Sequence, residues 1–340
     1  MKNSYNLFKS ELESLKEYVN YQITTSKVLN DLKKKNILGD EYIDFNIAKS
    51  KIYSYNSYII TLYGLLERFI ENLLTQYLTE LSNCSSNYES LPQIIQDNNI
   101  QKNSELLLNL SLVKNKDIDS KELIEILNNN LTRDNSKLYP KAFTQHKSNF
   151  RHNSINEFFK NVGISNLSNE IRNYSPLKER LELDYKDIKN QKSKIIFNII
   201  DDLAERRNDI AHGVENISLI HPNLIIEYID FILEYCNSLF ELVNNSFLEF
   251  KFQNRAIDIE HLGVIRNEIL LCRLNKISID MSSKIIVKRK NIYPKYFEME
   301  IKEIQVNHKV ITEIDGSSDI DVGVLLSEKI SERNKFKLAK

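Results

Sequence analysis

The chain has 340 residues, of which 41% are hydrophobic and 27% charged, a composition that excludes a disordered chain and favours an ordinary soluble protein. The formal net charge of −1 excludes a basic field over the whole molecule, so any contact with nucleic acid must come from a local patch. The three cysteines lack CxxC spacing, which argues against a disulfide framework and against a zinc site.

Long amphipathic helices dominate the first part of the chain. Apolar residues at three-to-four spacing predict a first helix over residues 4–34 and a second over about 42–82, in which Gly64 is expected to allow close packing. The helical pattern returns over residues 195–212, and a last long helix is predicted over about 222–252. Two long helices early and two late make a four-helix bundle the simplest fold.

The rest of the chain shows two other patterns. Shorter helical pieces, separated by turns rich in Asn and Ser, occupy residues 84–185 and are interpreted as a helical insertion that covers one end of the bundle. Towards the end, short alternating apolar runs such as 285–287 and 297–301 indicate a small β-barrel or sandwich. We therefore predict a mainly α protein, with a helical bundle over residues 1–254 and a small β-barrel-like domain over 255–340.

Two segments of this β-rich part carry a resemblance of their own. Glu303–Asn307 and Asp321–Leu326 resemble the closing strands of the barrel domain 2 of translational GTPases. The resemblance implies a barrel fold and no activity, since the GTP-binding domain that gives such a barrel its usual role is absent from the sequence.

The segment from Glu205 to Gly213 carries the functional prediction. It places Arg207 and His212 near the end of an apolar-periodic helix. An arginine binds phosphate through paired, charge-assisted hydrogen bonds, and a histidine transfers protons near neutral pH. Because the 2′-hydroxyl of RNA is itself a nucleophile, these two side chains suffice in principle to cleave RNA without a metal, so no cofactor is expected.

Helical geometry separates these two side chains, since five residues rotate by about 500° and leave Arg207 and His212 roughly 140° apart on an ideal helix. Gly213 suits the position directly after the helix, where the backbone can turn away. A second copy of the helix could bring its own pair to the same cleft, so we predict a homodimer with a composite site. Asp209 is placed to orient the histidine ring. The structural alternative is an arginine paired with a nearby glutamate and a histidine that caps carbonyls.

The string Arg-Asn-Asp-Ile-Ala-His-Gly resembles the signature of the HEPN superfamily (higher eukaryotes and prokaryotes nucleotide-binding domain). Arg207 matches the motif arginine, Asn208 its polar residue and His212 its histidine, and Leu62–Ile70 is similar to the early-helix pattern of a defence-associated subgroup. The resemblance implies a four-helix-bundle dimer of a superfamily in which many members are metal-independent endoribonucleases. The insertion over residues 84–185 is larger than a minimal HEPN domain carries.

Glu67 lies within a strongly apolar helical run, and a carboxylate there needs a partner. The functional interpretation makes Glu67 a supporting residue that holds Arg207, and the alternative is an ion pair with Arg68 or a nearby lysine. His146 and His152 lie in a polar stretch and are expected in a solvated loop, with a contact to RNA as the alternative.

The leading hypothesis is a metal-independent endoribonuclease of a bacterial toxin–antitoxin or anti-phage defence system. Arg207 and His212 would give 2′,3′-cyclic phosphate and 5′-hydroxyl ends, with Asn208, Asp209 and Glu67 in support. The alternative is a non-catalytic HEPN-like module that binds nucleotide or protein in a defence complex. The expected partners are RNA, a second copy of the chain, and an antitoxin or neighbouring defence protein. Because no apolar run reaches ~18 residues and no signal-peptide pattern follows Met1, we expect a cytoplasmic protein without a membrane span.

Overall fold

The computed structural model describes residues 1–35, 37, 47–133, 135–188, 190–214, 218–290 and 292–339, with the exception of the side chains of residues 47–49 and 114. The predicted start of the second helix, near residue 42, lies outside these residues. The chain forms two compact units, one of residues 1–76, 101–108 and 140–240, and the other of residues 77–100, 109–139 and 241–340. The division into a bundle and a barrel-like domain near residue 255 stays a prediction.

Helices dominate the part of the chain before residue 255, as predicted. The α-helices of the described residues are α1 (Lys2–Lys34), α2 (Ile47–Cys84), α3 (Gln93–Leu108), α4 (Ser120–Leu131), α5 (Pro140–Phe143), α6 (His152–Lys160), α7 (Leu167–Glu170), α8 (Leu177–Asp184), α9 (Ser193–Ile196), α10 (Asn198–Ala211) and α11 (Pro222–Asn254). Short 3-10 helices occupy Tyr88–Ser90, Val113–Asn115 and Ile171–Asn173. Helices α1 and α11 confirm the predicted first and last long helices.

The first unit has an apolar core to which α1, α2, α10 and α11 contribute. Phe8 of α1 stacks on Phe69 of α2 with ring centroids 4.4 Å apart, and Tyr5 stacks on Phe240 of α11 at 5.0 Å. Fully buried residues on these helices recur at the predicted three-to-four spacing, among them Leu12, Val19, Ile59, Leu62, Leu66, Ile70, Ile200, Leu203 and Ile232. The arrangement of the four helices as a bundle remains a prediction.

A buried histidine joins the N-terminal ends of two helices within this unit. His152 begins α6, and both its backbone N–H and its ring Nδ1 lie at the carboxylate of Asp201, 2.9 and 2.6 Å away. Asp201 belongs to the first turn of α10, so its charge lies at the positive end of both helix dipoles. His152 is only 5% exposed, and its predicted place in a solvated loop is therefore wrong.

The second unit contains the β-strands, which pair antiparallel. They are β1 (Ile257–Asp258), β2 (Glu260–Ile265), β3 (Ile269–Leu274), β4 (Ile279–Asp280), β5 (Lys284–Lys288), β6 (Tyr296–Val306), β7 (Lys309–Ile311), β8 (Glu313–Ile314), β9 (Ile320–Leu326) and β10 (Lys335–Ala339). One sheet has the order β1-β10-β5-β6-β9-β3-β2, with β7 beside β6, and β4 pairs with β8. A register shift between Ile301 and Glu303 lets β6 pair with β5 along its first half and with β9 along its second.

Alternate side chains of these strands fill a second core, which confirms the period-two pattern. Its members include Leu270, Cys272, Leu274, Ile285, Val287, Met299, Ile301, Val322, Val324, Phe336 and Leu338. Glu303 pairs with Leu325, so the two segments that resemble closing strands of a barrel are neighbours. Over the described ranges β1 and β2 are not paired with each other, and the sheet is open between them. None of the helices in these ranges has the length and apolar character needed to cross a membrane.

Candidate active site

The segment that carries the predicted motif forms the end of α10. His212 is the C-cap residue directly after Ala211, the last residue of the helix, and Gly213 follows with a φ of 66°. The Gly213 N–H donates to the carbonyl of Ile210 at 3.2 Å, and the Val214 N–H donates to the carbonyl of Asp209 at 3.0 Å. This pair of hydrogen bonds is the Schellman motif, which needs a residue in the left-handed region at Gly213. The predicted role of Gly213 is therefore confirmed.

His212 presents its ring to solvent at this helix end. Its backbone N–H donates to the carbonyl of Asn208 at 2.9 Å, while its ring makes no hydrogen bond or ion pair to a residue that the structure describes. No hydrogen bond or ion pair joins Asp209 to this ring in the described residues, so the predicted orientation of the ring by Asp209 is not found. Burial is the main cause of a raised pKa of Tyr55, and the charge of Asp209 contributes to it. His212 is thus accessible to a ligand, and no side chain of the described residues holds its ring.

Arg207 differs from the neighbouring Arg206 in what surrounds its guanidinium. The Cζ of Arg207 lies 5.6 Å from the centre of the Tyr63 ring, and its Nη1 lies 3.5 Å from the side-chain oxygen of Asn208. Among the residues in the ranges given above, no carboxylate lies within ion-pair distance of this half-buried side chain. A guanidinium that stacks on an aromatic ring without an acidic partner keeps its hydrogen-bond donors for an anion.

Arg206, in contrast, is held by the protein itself. Its Nε donates to Asp202 at 2.5 Å, and its Nη1 donates to the Tyr55 hydroxyl at 2.9 Å and to the carbonyl of Ser218 at 2.8 Å. Tyr228 donates its hydroxyl to the same carboxylate at 2.7 Å. Burial favours the neutral form of Arg206, but the bonds to Asp202 and Tyr55 outweigh it, and the pKa is raised. Arg206 is a structural residue.

Tyr63 of α2 provides the platform below Arg207. Its hydroxyl accepts a hydrogen bond from the backbone N–H of Phe150 at 2.7 Å and donates to Glu67 Oε1 at 3.3 Å. Burial first, and then the nearby charge of Glu67, raise the pKa of Tyr63, so the phenol stays protonated. Both contacts fix the ring beside the guanidinium of Arg207.

The predicted ion pair between Glu67 and Arg207 is not formed. Tyr63, one helical turn before Glu67, occupies the space between them, with its ring facing Arg207 and its hydroxyl bonded to Glu67. The alternative partner Arg68 pairs with Glu11 at 2.5 Å instead. Glu67 Oε1 lies 3.8 Å from the Nε2 of His146. This cationic partner belongs to neither α2 nor α10, the two helices in which a partner was expected.

His146, which was expected in a solvated loop, lies against α2 beside Glu67 and Glu71. Its Nε2 lies 2.8 Å from Glu71 and its Nδ1 lies 2.9 Å from the carbonyl oxygen of Ser148. Its ring packs on Phe150 with centroids 4.4 Å apart and its side chain is only 22% exposed, so the prediction of a solvated loop is wrong here too. The available signal was the pair Glu67 and Glu71, two carboxylates one turn apart in an apolar helix, which favour a cation beside them.

Asn208 connects the motif to the same polar stretch. The side-chain amide of Asn149 donates to the side-chain oxygen of Asn208, which also faces Arg207. The amide NH2 of Asn208 has no acceptor in the part of the chain that the structure describes and can donate to a ligand. No three His, Cys, Asp or Glu side chains of the described residues are grouped to hold a metal ion. The structure thus brings together the side chains of Arg207, Asn208, Tyr63 and Glu67, and in the described residues the side chains of Asp209 and His212 make no hydrogen bond or ion pair with this group.

The family model described as RiboL-PSP-HEPN matches residues 9–245, and the chain therefore belongs to this HEPN family. The matched range contains all the residues of the site and ends before β1. A comparison with curated proteins gives no match. Membership of a HEPN family is consistent with either an RNase or a nucleotide-binding role.

Two glycines provide a matched test of the helix end. Gly64 lies inside α2 and Gly213 follows α10 with its φ of 66°, and an added Cβ meets no atom within 4 Å at either residue. Gly64→Ala is expected to raise the free energy of unfolding by about 0.5–1 kcal/mol, because alanine loses less backbone entropy. Gly213→Ala is expected to lower it by about 1 kcal/mol through left-handed strain.

Urea denaturation of the two variants measures both effects, and Gly213→Asn serves as a control because asparagine tolerates the left-handed region. A stabilising Gly213→Ala would contradict the described helix end. A destabilising Gly64→Ala would mean that a second chain packs closely on this glycine, since the expected close packing is not found in the described residues.

Proposed function

We propose that this protein is a metal-independent endoribonuclease in which Arg207 binds the scissile phosphate and His212 transfers a proton. The observation that carries the proposal is the environment of Arg207, a half-buried guanidinium on the Tyr63 ring without a carboxylate partner in the described residues. Its neighbour Arg206 donates through Nε and Nη1 to Asp202 and Tyr55, whereas the arginine of the HEPN motif has no acidic partner in the described residues. Membership of a HEPN family supports a role in RNA cleavage or nucleotide binding, and the matched residues 9–245 include Arg207 and His212.

The reaction needs only groups of the RNA and of the motif. The 2′-oxygen forms a bond to phosphorus, the bond from phosphorus to the 5′-oxygen breaks, and the 2′-hydroxyl proton is removed as the 5′-oxygen gains one. Arg207 and the amide NH2 of Asn208 stabilise charge on the non-bridging oxygens, and His212 acts as general base or general acid. The products carry 2′,3′-cyclic phosphate and 5′-hydroxyl ends.

The active form proposed is a homodimer. Arg207 and His212 project roughly 140° apart on an ideal helix, so a histidine from the second copy completes the site around one phosphodiester. Mixing inactive Arg207→Ala and His212→Ala chains tests this, because a mixed dimer then contains one site with both native residues. We place the enzyme in a toxin–antitoxin or anti-phage defence system, with an antitoxin or a neighbouring defence protein as a further partner.

A second candidate function is a non-catalytic module that binds a nucleotide or a phosphate. It is favoured by one observation, that no side chain of the described residues orients the ring of His212, whereas a general base is normally held by a third group. In that case Arg207 and Asn208 would bind phosphate without chemistry.

Incubation of the purified protein with end-labelled RNA in excess EDTA distinguishes the two candidates. The endoribonuclease is expected to cleave RNA under chelation, to leave 2′,3′-cyclic phosphate ends and to spare an RNA with 2′-O-methyl groups. Cleavage that requires a divalent cation, or products with a 5′-phosphate, would contradict the mechanism. A rise in melting temperature with phosphate, without RNA turnover, would favour the binding module.

A further inference from the structure

A short polar segment, residues 146–150, links the two helices that carry the site. Its first residue binds α2, since the ring of His146 lies 2.8 Å from Glu71. Its last residue also binds α2, through the N–H of Phe150 and the hydroxyl of Tyr63. Between them, the amide of Asn149 donates to Asn208 of α10. The segment therefore contacts the platform of Arg207 on one side and the neighbour of Arg207 on the other.

The hydrogen bonds of His146 determine the protonation of its ring. The carbonyl oxygen of Ser148, at 2.9 Å from Nδ1, can only accept a hydrogen bond, and the carboxylate of Glu71 at Nε2 also accepts. Both nitrogens must therefore carry a proton, which makes the ring an imidazolium. The bond to Glu71 is the main cause of a raised pKa for His146, with burial opposing it and the Ser148 carbonyl and Glu67 adding to it.

The charged and titratable groups around the ring of His146 determine whether the ring can exchange a proton with a substrate. Glu67 and Glu71 of α2 face Nε2, and Tyr63 of the same helix separates Glu67 from the guanidinium of Arg207. Because both ring nitrogens are engaged, His146 cannot take a proton from a substrate while these bonds hold. Its positive charge instead holds residues 146–150 against two carboxylates of α2.

We propose that His146 is a positioning residue for phosphate binding: its imidazolium ties residues 146–150 to Glu67 and Glu71 and so sets the positions of Tyr63, Asn208 and Arg207. The identity of the ligand, an RNA phosphodiester, rests on the proposed function. The residue itself lies outside the Arg-His motif. Loss of the proton removes one of the two ring donors, loosens residues 146–150 and weakens the binding of phosphate by Arg207.

The sign of the effect of pH follows from the direction of the pKa shift. A histidine whose pKa is higher in the folded than in the unfolded protein stabilises fully below its ordinary value of 6.5. This stabilisation is lost as the pH rises through the pKa of the folded protein. Phosphate binding that depends on His146 is therefore expected to be strong at low pH and to weaken over the same interval.

The test uses the full chain with His212→Gln as background, which is expected to slow cleavage enough for binding to be measured. Binding of a fluorescent single-stranded RNA is measured between about pH 6 and pH 9, a range that spans histidine titration. Adding His146→Gln is expected to weaken binding about tenfold at low pH and to flatten the profile, since small misplacements of binding groups cost this much. His308→Asn, at an exposed turn of the second unit, is the matched control and is expected to change nothing.

A second variant separates positioning from simple loss of fold. Glu71→Gln keeps the shape of the side chain but removes the charge that favours the imidazolium, so both the NMR titration of His146 and the midpoint of RNA binding are expected to move to lower pH. A structural role alone would lower the melting temperature without moving that midpoint. Unaltered binding by the His146→Gln variant, an unmoved midpoint, or no RNA binding at any pH would overturn the inference. RNA binding with the expected pH profile, but without cleavage by the native chain, would overturn the proposed function alone.

Discussion

Replacement of His212 by alanine is expected to lower the rate of RNA cleavage by about 10²- to 10⁴-fold, the usual contribution of a general acid or base. The ring is exposed at the end of α10 and bonds no residue that the structure describes, so its removal should leave the stability of the fold unchanged. Single-turnover rates on a labelled RNA, with enzyme in excess, measure the effect on the chemical step. A rate equal to that of the native chain would rule out His212 as the proton-transfer group.

The adjacent arginines offer a matched control for this result. Arg207→Lys keeps the charge but loses the paired donors, so a loss of rate of about 10²-fold with an unchanged melting temperature is expected. Arg206→Lys breaks the bonds to Asp202, Tyr55 and Ser218 and is expected to lower the free energy of unfolding by about 1–2 kcal/mol. Its rate per folded molecule should be retained. A loss of rate in Arg206→Lys, with the rate of Arg207→Lys unchanged, would assign phosphate binding to Arg206.

Asp201→Ala is expected to lower the free energy of unfolding by about 3 kcal/mol, because it leaves the buried ring and N–H of His152 without their acceptor. The same change removes a negative charge from the first turns of α6 and α10. Urea denaturation gives the free energy, and Asp201→Asn is the control, since it keeps one acceptor and the shape of the side chain. An effect of Asp201→Ala below about 1 kcal/mol would mean that water replaces the carboxylate at this site.

Several elements could be predicted from the sequence because their causes are local. The spacing of apolar residues predicted α1 and α11, and alternation predicted the strands around Ile285 and Val324. Gly213 was predicted to follow the helix because only a residue that tolerates a positive φ suits that position. The family could be recognised from the sequence for a similar reason, because the arginine and the histidine of its motif lie only five residues apart.

The errors concern residues whose partners are distant in the sequence. His146 and Glu71 lie 75 residues apart along the chain, and His152 and Asp201 lie 49 apart. A polar stretch with two histidines predicts a solvated loop, because nothing local indicates that acidic side chains of two helices will cover it. Glu67 was expected to have a partner close in the sequence or in the motif helix, but its contacts with Tyr63 and His146 depend on where residues 146–150 pack.

The sequence by itself determined the helical and β-rich parts, the helix end at Gly213 and the chemical type of the motif, because each depends on neighbours within a few turns or along one strand. The tertiary structure alone decided which of two adjacent arginines pairs with a carboxylate of the described residues, which histidines are buried, and how residues 146–150 reach Asn208. These outcomes depend on packing between segments far apart in the chain. Burial and the distance between charges, which govern pairing and protonation, exist only once those segments meet.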